Sequence, residues 1–336
     1  MRGQITIAVD AMGGDHGPSV AAKAALASVL RDSNLRILLV GDVSVLQSFL
    51  PSHHPSDRLV LIDAPDYVRM DDKPAYALRH KMQSSMAVAL RQVLEGRAQA
   101  CVSAGNTGAL MALGRALLKM PPGVDRPAII KRIPSLRARC YVLDLGANVD
   151  CSAEQLYQFA VLGSLVVEHV ERKPRPRVAL VNVGEEDTKG NEAVRLASRL
   201  LAESPHINYV GYVEGGAVFR DLADVLVCDG FVGNVALKTG EGVIEMLSDL
   251  LDETFSRSWY MRLLGLLARP ALNRLQELLD PATHNGASLI GLNGVVVKSH
   301  GSAREKGFAS AIEQGVQEAR LRLPDVINSR LDDLVF

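Results

Sequence analysis

The feature that most restricts what this chain can fold into is a unit that recurs along it. A short apolar run stops at a turn rich in glycine or asparagine, and apolar residues then resume at helical spacing. Ile5–Val9 ends in Asp10-Ala-Met-Gly-Gly-Asp15 ahead of a helix predicted from about Ser19 to Leu30. Ala100–Ser103 runs into Ala104-Gly-Asn-Thr-Gly108 and a helix to Leu118. Tyr141–Leu145 ends in Gly146-Ala-Asn148, and Ser152 with Gln155 has capping-box spacing for a helix to about Glu168. Arg177–Val183 leads through Gly184-Glu-Glu-Asp-Thr-Lys-Gly190 to a helix from Asn191 to Ala202. Val225–Cys228 is followed by Asp229, Gly230, Gly233 and Asn234, which predict a sharp turn, with helical spacing from Val235. With further strands at Arg36–Gly41 and Leu59–Asp63 and a helix opened by Asp42, these units set a β-α-β rhythm. Runs that are apolar throughout are covered on both faces, as strands of a parallel sheet flanked by helices are.

Composition agrees with that class. Hydrophobic residues make up 48% and aromatics only 4%, which fits a helix-covered parallel sheet better than an antiparallel sandwich. At 336 residues, one large α/β domain with an appended element is as compatible as two domains, and Pro174 and Pro176 mark the connection where two lobes would meet. The reading taken is a single domain over 1–336 with a helical element at 254–280. A formal net charge of -1 gives no global basic field for nucleic acid. Cys101, Cys140, Cys151 and Cys228 are scattered without metal-site spacing, so they are expected as buried apolar fillers in a reducing cytosol. Met1 is followed almost at once by a strand, which leaves no room for a signal peptide, and no charge-free apolar run is long enough to span a bilayer. A cytoplasmic protein is expected.

Each glycine turn opening a helix exposes backbone N–H groups that can hold an anion. Gly13 and Gly14 can do so for a small anion, but Asp10 and Asp15 would repel a pyrophosphate, and G-x-G-x-x-G is missing. Ser103, Asn106 and Thr107 read either as helix caps or as ligand groups, and Asn234 as an N-cap or as an amide donor to an anion. Lys189 is either a solvated lysine among Glu185, Glu186 and Asp187 or a cation at the carboxyl edge of the sheet, where open parallel sheets bind ligands. Asn293-Gly294 between Ser288–Leu292 and Val295–Lys298 predicts a hairpin, after which His300 is either a capping group or a general base. In the segment Thr254–Leu278, Trp259, Leu263, Leu266 and Leu267 share one helical face among Arg257, Arg262, Arg269 and Arg274. That stripe either packs on another helix or lies in an anionic membrane surface, and Pro270 is expected to break the segment into a hairpin.

Taken in order, DAMGGD at Asp10, SAGNTGAL at Ser103, LDLGANVDCS at Leu143, GEEDTKG at Gly184, DVLVCDGFVGNVALKTGEG at Asp224 and NGASLIGLNGVVVKSHGSA at Asn285 resemble the phosphate acyltransferase family, PlsX. The resemblance covers nearly the whole chain. It implies a Rossmann-like three-layer α/β/α sandwich with a mostly parallel sheet, an amphipathic helical hairpin extension, and a homodimer. It also implies transfer of a fatty acyl group from acyl carrier protein to inorganic phosphate, the acyl phosphate then passing to a membrane glycerol-phosphate acyltransferase in phospholipid synthesis. His284 departs from the tyrosine common at its place in the family. By the resemblance Lys189 and Asn234 are the catalytic pair. The substrate-binding set is Gly13, Gly14, Asp15, Ser103, Gly105, Asn106, Thr107, Gly108, Asn148, Gly233, Lys238, His300 and Ser302. Trp259, Leu263, Leu264, Leu266 and Leu267 would face a membrane, and no cofactor or metal is called for. A thioester is already activated, so the reaction needs positioning and oxyanion stabilisation rather than a protein nucleophile. The alternatives are a phosphotransacetylase using coenzyme A thioesters, a dehydrogenase on a related fold, and a non-enzymatic membrane-surface scaffold.

Overall fold

The computed structural model describes residues 3–134, 139–279 and 285–331; His284 lies outside them. In chain order the elements are β1 (Ile5–Asp10), α1 (Pro18–Arg31), β2 (Leu35–Gly41), α2 (Val43–Ser48), β3 (Leu59–Asp63), α3 (Pro74–His80), α4 (Ser85–Leu94), β4 (Ala100–Ser103) and α5 (Thr107–Leu118). There follow β5 (Ala128–Pro134), β6 (Arg139–Leu143), α6 (Ala153–Val170), β7 (Arg177–Val181), α7 (Glu192–Glu203), β8 (Asn208–Val213), a 3-10 turn (Gly215–Phe219) and β9 (Val225–Val227). The chain closes with α8 (Gly230–Ser256), α9 (Trp259–Leu279), β10 (Ala287–Ile290), β11 (Val295–Lys298), α10 (Glu305–Leu321) and α11 (Leu323–Leu331).

All the described strands join one sheet in the order β3-β2-β1-β4-β11-β10-β5-β6-β9-β7-β8. Most neighbours are parallel, as the apolar runs predicted. The exception is the centre, where β10 pairs antiparallel with both β11 and β5, and β5 pairs antiparallel with β6. Three successive reversals leave β6, β9, β7 and β8 running opposite to β1, β2, β3, β4 and β11. The glycine turns therefore do not share one carboxyl edge, as the sequence led us to expect. They lie at two edges that face in opposite senses.

Helices on both faces bury the sheet. Ile7, Val9, Ile37, Leu39, Phe308 and Ile312 are fully or nearly fully buried in the N-terminal half, and Leu143, Phe159, Val178 and Val225 in the other. Caps read from the sequence are made: Asp42 accepts from Ser44 and Val45 N–H, and Ser152 and Gln155 form the reciprocal capping box. Ser84 caps α4 in the same way by accepting from Ala87 N–H.

Two helical expectations need correction. The first helical residue after β9 is Gly230 rather than Val235, and Asp229 caps it by accepting from Val232 N–H at 2.8 Å. Gly233 is thus inside α8, where a Cβ would stand 1.9 Å from the Asp144 carbonyl oxygen, so close backbone approach rather than a turn requires glycine there. The second concerns Pro270, which lies inside α9, while the hairpin bends at Arg257-Ser258. Ser258 Oγ accepts from Met261 N–H at 3.4 Å, and α9 then packs back on α8 with Gly265 against Phe255. No helix among the described residues is long and apolar enough to cross a membrane.

Candidate functional site

At the edge of β1, β4 and β11 the structure is held by a buried carboxylate. Asp10, 1% exposed, accepts from Ser85 Oγ at 2.6 Å and from Ser103 Oγ at 2.7 Å. Burial pushes its carboxyl above the usual range, and those two hydroxyl bonds oppose the shift. Ser103 Oγ also accepts from Gly105 N–H, so its hydrogen-bonding capacity is committed inside the protein. Gly13 packs directly on Gly105, where a Cβ would meet backbone at 2.7 Å, and Asp15 N–H donates to the Gly301 carbonyl. Asn106 caps α5 by accepting from Ala109 N–H, and its amide donates to the Met70 and Asp72 carbonyls. Ser103 and Asn106 thus hold this loop in shape. Thr107 and Gly108 form the first turn of α5, with Gly108 against Pro74.

At the other edge Asp144 plays the matching part. It accepts from the N–H groups of Ile129, Ala147 and Asn148 and from Asn148 Nδ2, while burial raises its pKa. Asn148 is buried, also donates to the Pro127 carbonyl, and accepts Gly230 N–H at 2.7 Å through its own carbonyl. The buried Asp144 network thus fixes the 144–148 turn against the start of α8. Asn234, in the second turn of that helix, is exposed and packs against Gly146.

The two edges meet along α8. Lys238 lies four residues after Asn234, on the same helical face and about 6 Å further along the axis. Its ammonium donates to His300 Nε2 at 2.8 Å and to Glu241 at 2.8 Å. His300 Nδ1 stands 2.7 Å from Ser302 Oγ. Ser302 N–H also donates to Nδ1 at 3.2 Å, so the turn after β11 fixes the ring against Lys238. Burial, then the Lys238 charge, holds its pKa below the ordinary histidine value.

Lys298 stands at the end of β11, its ammonium donating to the Ala104 and Ser299 carbonyls. Burial lowers it to about 8, and Lys238 adds to that push while Asp15 and Asp10 oppose it. Lys131 on β5, also lowered by burial, reaches toward Glu241 at 3.9 Å. Three lysines and a neutral histidine thus share a small region with Glu241, Asp15 and Asp10 as the acids that act on them. The sequence reading included Lys238, His300 and Ser302 but missed Lys131 and Lys298. The signal for both was a lysine embedded in or closing an otherwise apolar run, AIIK and VVVK.

Lys189 is exposed in the loop after β7, and among the described residues its ammonium makes no ion pair or hydrogen bond. The loop is tightly fixed beneath it: Gly190 has φ +87°, and a Cβ there would stand 2.3 Å from Asn182 Oδ1. β7 pairs with β9, so this loop and the start of α8 leave adjacent strands at the same edge. The four cysteines are free, and burial raises every thiol, Cys140 and Cys151 to about 12, so none is poised as a nucleophile near neutral pH. Among the membrane-facing expectations, Trp259 and Leu267 are the most exposed at 79% and 71%, and Leu263, Leu264 and Leu266 are exposed with them.

Comparison with known proteins bears on this geometry. A family model described as fatty acid synthesis protein matches residues 5–324. A phosphate acyltransferase of Marinobacter nauticus is 58% identical over 99% of this chain and 97% of its own length. Among solved structures, a phosphotransacetylase from Streptococcus pyogenes matches with TM-score 0.61 at 16% identity, over 94% of each chain. A 4-hydroxythreonine-4-phosphate dehydrogenase from Klebsiella pneumoniae matches with TM-score 0.57 at 16% identity, over 94% of this chain and 99% of its own. At such identities these two likenesses show a shared fold. The family match and the identity to the Marinobacter protein show more: this chain belongs to the phosphate acyltransferase (PlsX) family.

Proposed function

We propose that this chain transfers the acyl group of an acyl carrier protein thioester to inorganic phosphate. A phosphate oxygen attacks the thioester carbonyl, the tetrahedral oxyanion collapses, and the C–S bond breaks to give acyl phosphate and the carrier thiol. The observation that carries this reading is the pair of cations Lys238 and Lys298 beside the neutral His300, with Lys238 one helical turn from the exposed amide of Asn234. A dianionic phosphate fits the lysines, and an amide donor suits a carbonyl oxygen that gains charge. Lys189 supplies a further cation from the neighbouring loop. The turns holding Gly13, Gly14, Thr107 and Gly108 line the opposite rim, while Asp10 and Asp144 keep both rims in shape. No step uses a covalent enzyme intermediate.

The finer assignments rest on exposed surface. Val243, Met246, Leu247 and Leu250 leave an apolar side of α8 open, which supports a second copy of the chain as its cover. At the bend, Trp259, Leu263 and Leu267 beside Arg257 and Arg262 support reversible contact with an anionic membrane. There the product would be passed to a membrane glycerol-phosphate acyltransferase. The deciding assay incubates the purified protein with palmitoyl-acyl carrier protein and phosphate and traps acyl phosphate with hydroxylamine. Phosphate-dependent hydroxamate is expected, at a greater rate than with palmitoyl-coenzyme A. An equal or greater rate with coenzyme A would transfer the reading to a phosphotransacetylase.

A further inference from the structure

Between α8 and the strands beneath it lies an apolar cavity of about 520 Å³, within the size range of small-molecule sites. Ile133 and Val142 form its floor, Phe219 its side, and Leu237, Gly240 and Ile244 its roof. One end is bounded by Gly233 and Leu145, which neighbour Asn234 and the Gly146 backbone packed against it. From Gly233 to Ile244 the cavity follows α8 for about three turns, about 16 Å. Its charged wall is Lys131 with Glu241, and Glu241 continues through Lys238 to His300. An apolar channel thus begins where the cationic cluster begins.

Gly240 supplies a second, independent observation. Glycine inside a helix weakens it relative to alanine, so its presence calls for a reason. Its backbone is not in the positive-φ region, and an added Cβ would meet only Phe219 Cζ at 3.7 Å, an ordinary contact. Neither backbone geometry nor crowding requires glycine. What the missing side chain leaves is room in the cavity.

We infer that this cavity holds the hydrocarbon chain of the acyl substrate, running from the carbonyl beside Asn234 toward Ile244, and that Gly240 and Phe219 set the chain length accepted. The inference rests on the acyl-transfer reading and adds where the chain lies. Few other occupants match a wall that is mostly apolar, carries the Lys131–Glu241 pair beside Gly240, and has the Lys238 ammonium one turn from Asn234. Extended hydrocarbon next to phosphate does.

Gly240→Leu places a side chain in the cavity and favours the helix, so the fold should be retained. Compared with wild type, its kcat/KM for palmitoyl-acyl carrier protein should fall about tenfold or more, the effect of leaving roughly two methylenes in water. With octanoyl-acyl carrier protein the change should stay within about threefold. Phe219→Ala, at a half-exposed position, should instead widen the cavity and raise the stearoyl-to-palmitoyl ratio. A readout free of turnover is the fluorescence of cis-parinaric acid, whose binding Gly240→Leu should weaken by a similar factor. Hydroxamate absent from wild type with every donor would overturn the acyl-transfer reading itself. Hydroxamate formed by wild type, with equal losses for both chain lengths in Gly240→Leu, or unchanged parinaric acid binding, would overturn the cavity assignment alone.

Discussion

Glu318 on α10 is buried and accepts from Ser288 Oγ and from Gln314 Nε2, the latter at 3.1 Å, with no cation paired to it among the described residues. Burial pushes its carboxyl from 4.5 up to about 7, and the two hydrogen bonds only partly offset that. A carboxyl whose folded pKa is raised binds its proton more tightly in the native state than in the unfolded chain. Folding is therefore insensitive to pH through this group below about 4.5, loses stability as pH climbs from 4.5 to 7, and levels off above that. A shift of about 2.5 units corresponds to a cost on the order of 3 kcal/mol at the alkaline plateau. Glu318→Gln stays neutral throughout and keeps an oxygen for Ser288 and Gln314. Measured by urea unfolding at fixed protein concentration, the variant should match wild type near pH 4.5 and exceed it by roughly 2–3 kcal/mol at pH 8. Curves that run parallel across that range would show that Glu318 is ionised at no cost in the folded protein, and the burial argument would fail.

At the site, Lys189→Ala and Asn234→Ala should each lower turnover about tenfold to a thousandfold with unchanged thermal unfolding, the range for losing one oxyanion-type donor; near wild-type turnover would remove that residue from the mechanism. Lys298, lowered to about 8, should lose its proton as pH rises, so the KM for phosphate should climb roughly tenfold through that value. Lys298→Arg, which stays charged, should flatten that profile, and a wild-type KM constant to pH 9 would exclude Lys298 from phosphate binding. Gly233→Ala, forcing a Cβ to within 1.9 Å of the Asp144 carbonyl, should destabilise by about 1–3 kcal/mol in urea unfolding; an unchanged midpoint would refute the close-approach argument. Replacing Leu263, Leu264 and Leu267 by Glu should abolish sedimentation with anionic liposomes while dissolved-substrate turnover survives, and liposome binding that persists would make the stripe packing surface.

The alternation of apolar runs and helices was legible because each depends on a few residues close in sequence. β3 and β4 and the caps at Asp42 and Ser152 stand where the pattern placed them. β5 was not read because Lys131 and Arg132 interrupt its apolar run, and β8 because it is an edge strand whose residues are largely half-exposed. The start of α8 was misread for a related reason: glycine reads locally as a turn, while its role at 230 and 233 is set by the 144–148 backbone, some 85 residues earlier. Long-range packing of that kind leaves no local pattern. Asp10 and Asp144 illustrate the same limit, since each looks like one acid in a glycine motif and becomes an organiser only when Ser85 or Ile129 arrives from elsewhere.

The reversal of strand direction at β10 and β5 changes how the chemistry must be assembled. If every turn lay on one carboxyl edge, a crevice along that edge would bring the motifs together without help. The register brings the opposed edges level: Ser288 pairs with Val297 and with Ile130, and Lys131 pairs with Val142, so β11 and β6 end side by side across β10 and β5. The helix α8 links those ends: Gly230 is hydrogen-bonded to the Asp144–Asn148 turn, and Lys238, two turns on, reaches His300. The helix begins directly after β9, and Gly233 lets it pass against the Asp144 carbonyl between those two attachments. Filling the space beneath it with side chains would add burial and stability. Leaving it open keeps a passage for hydrocarbon between the two groups of polar residues that the reaction has to bring together.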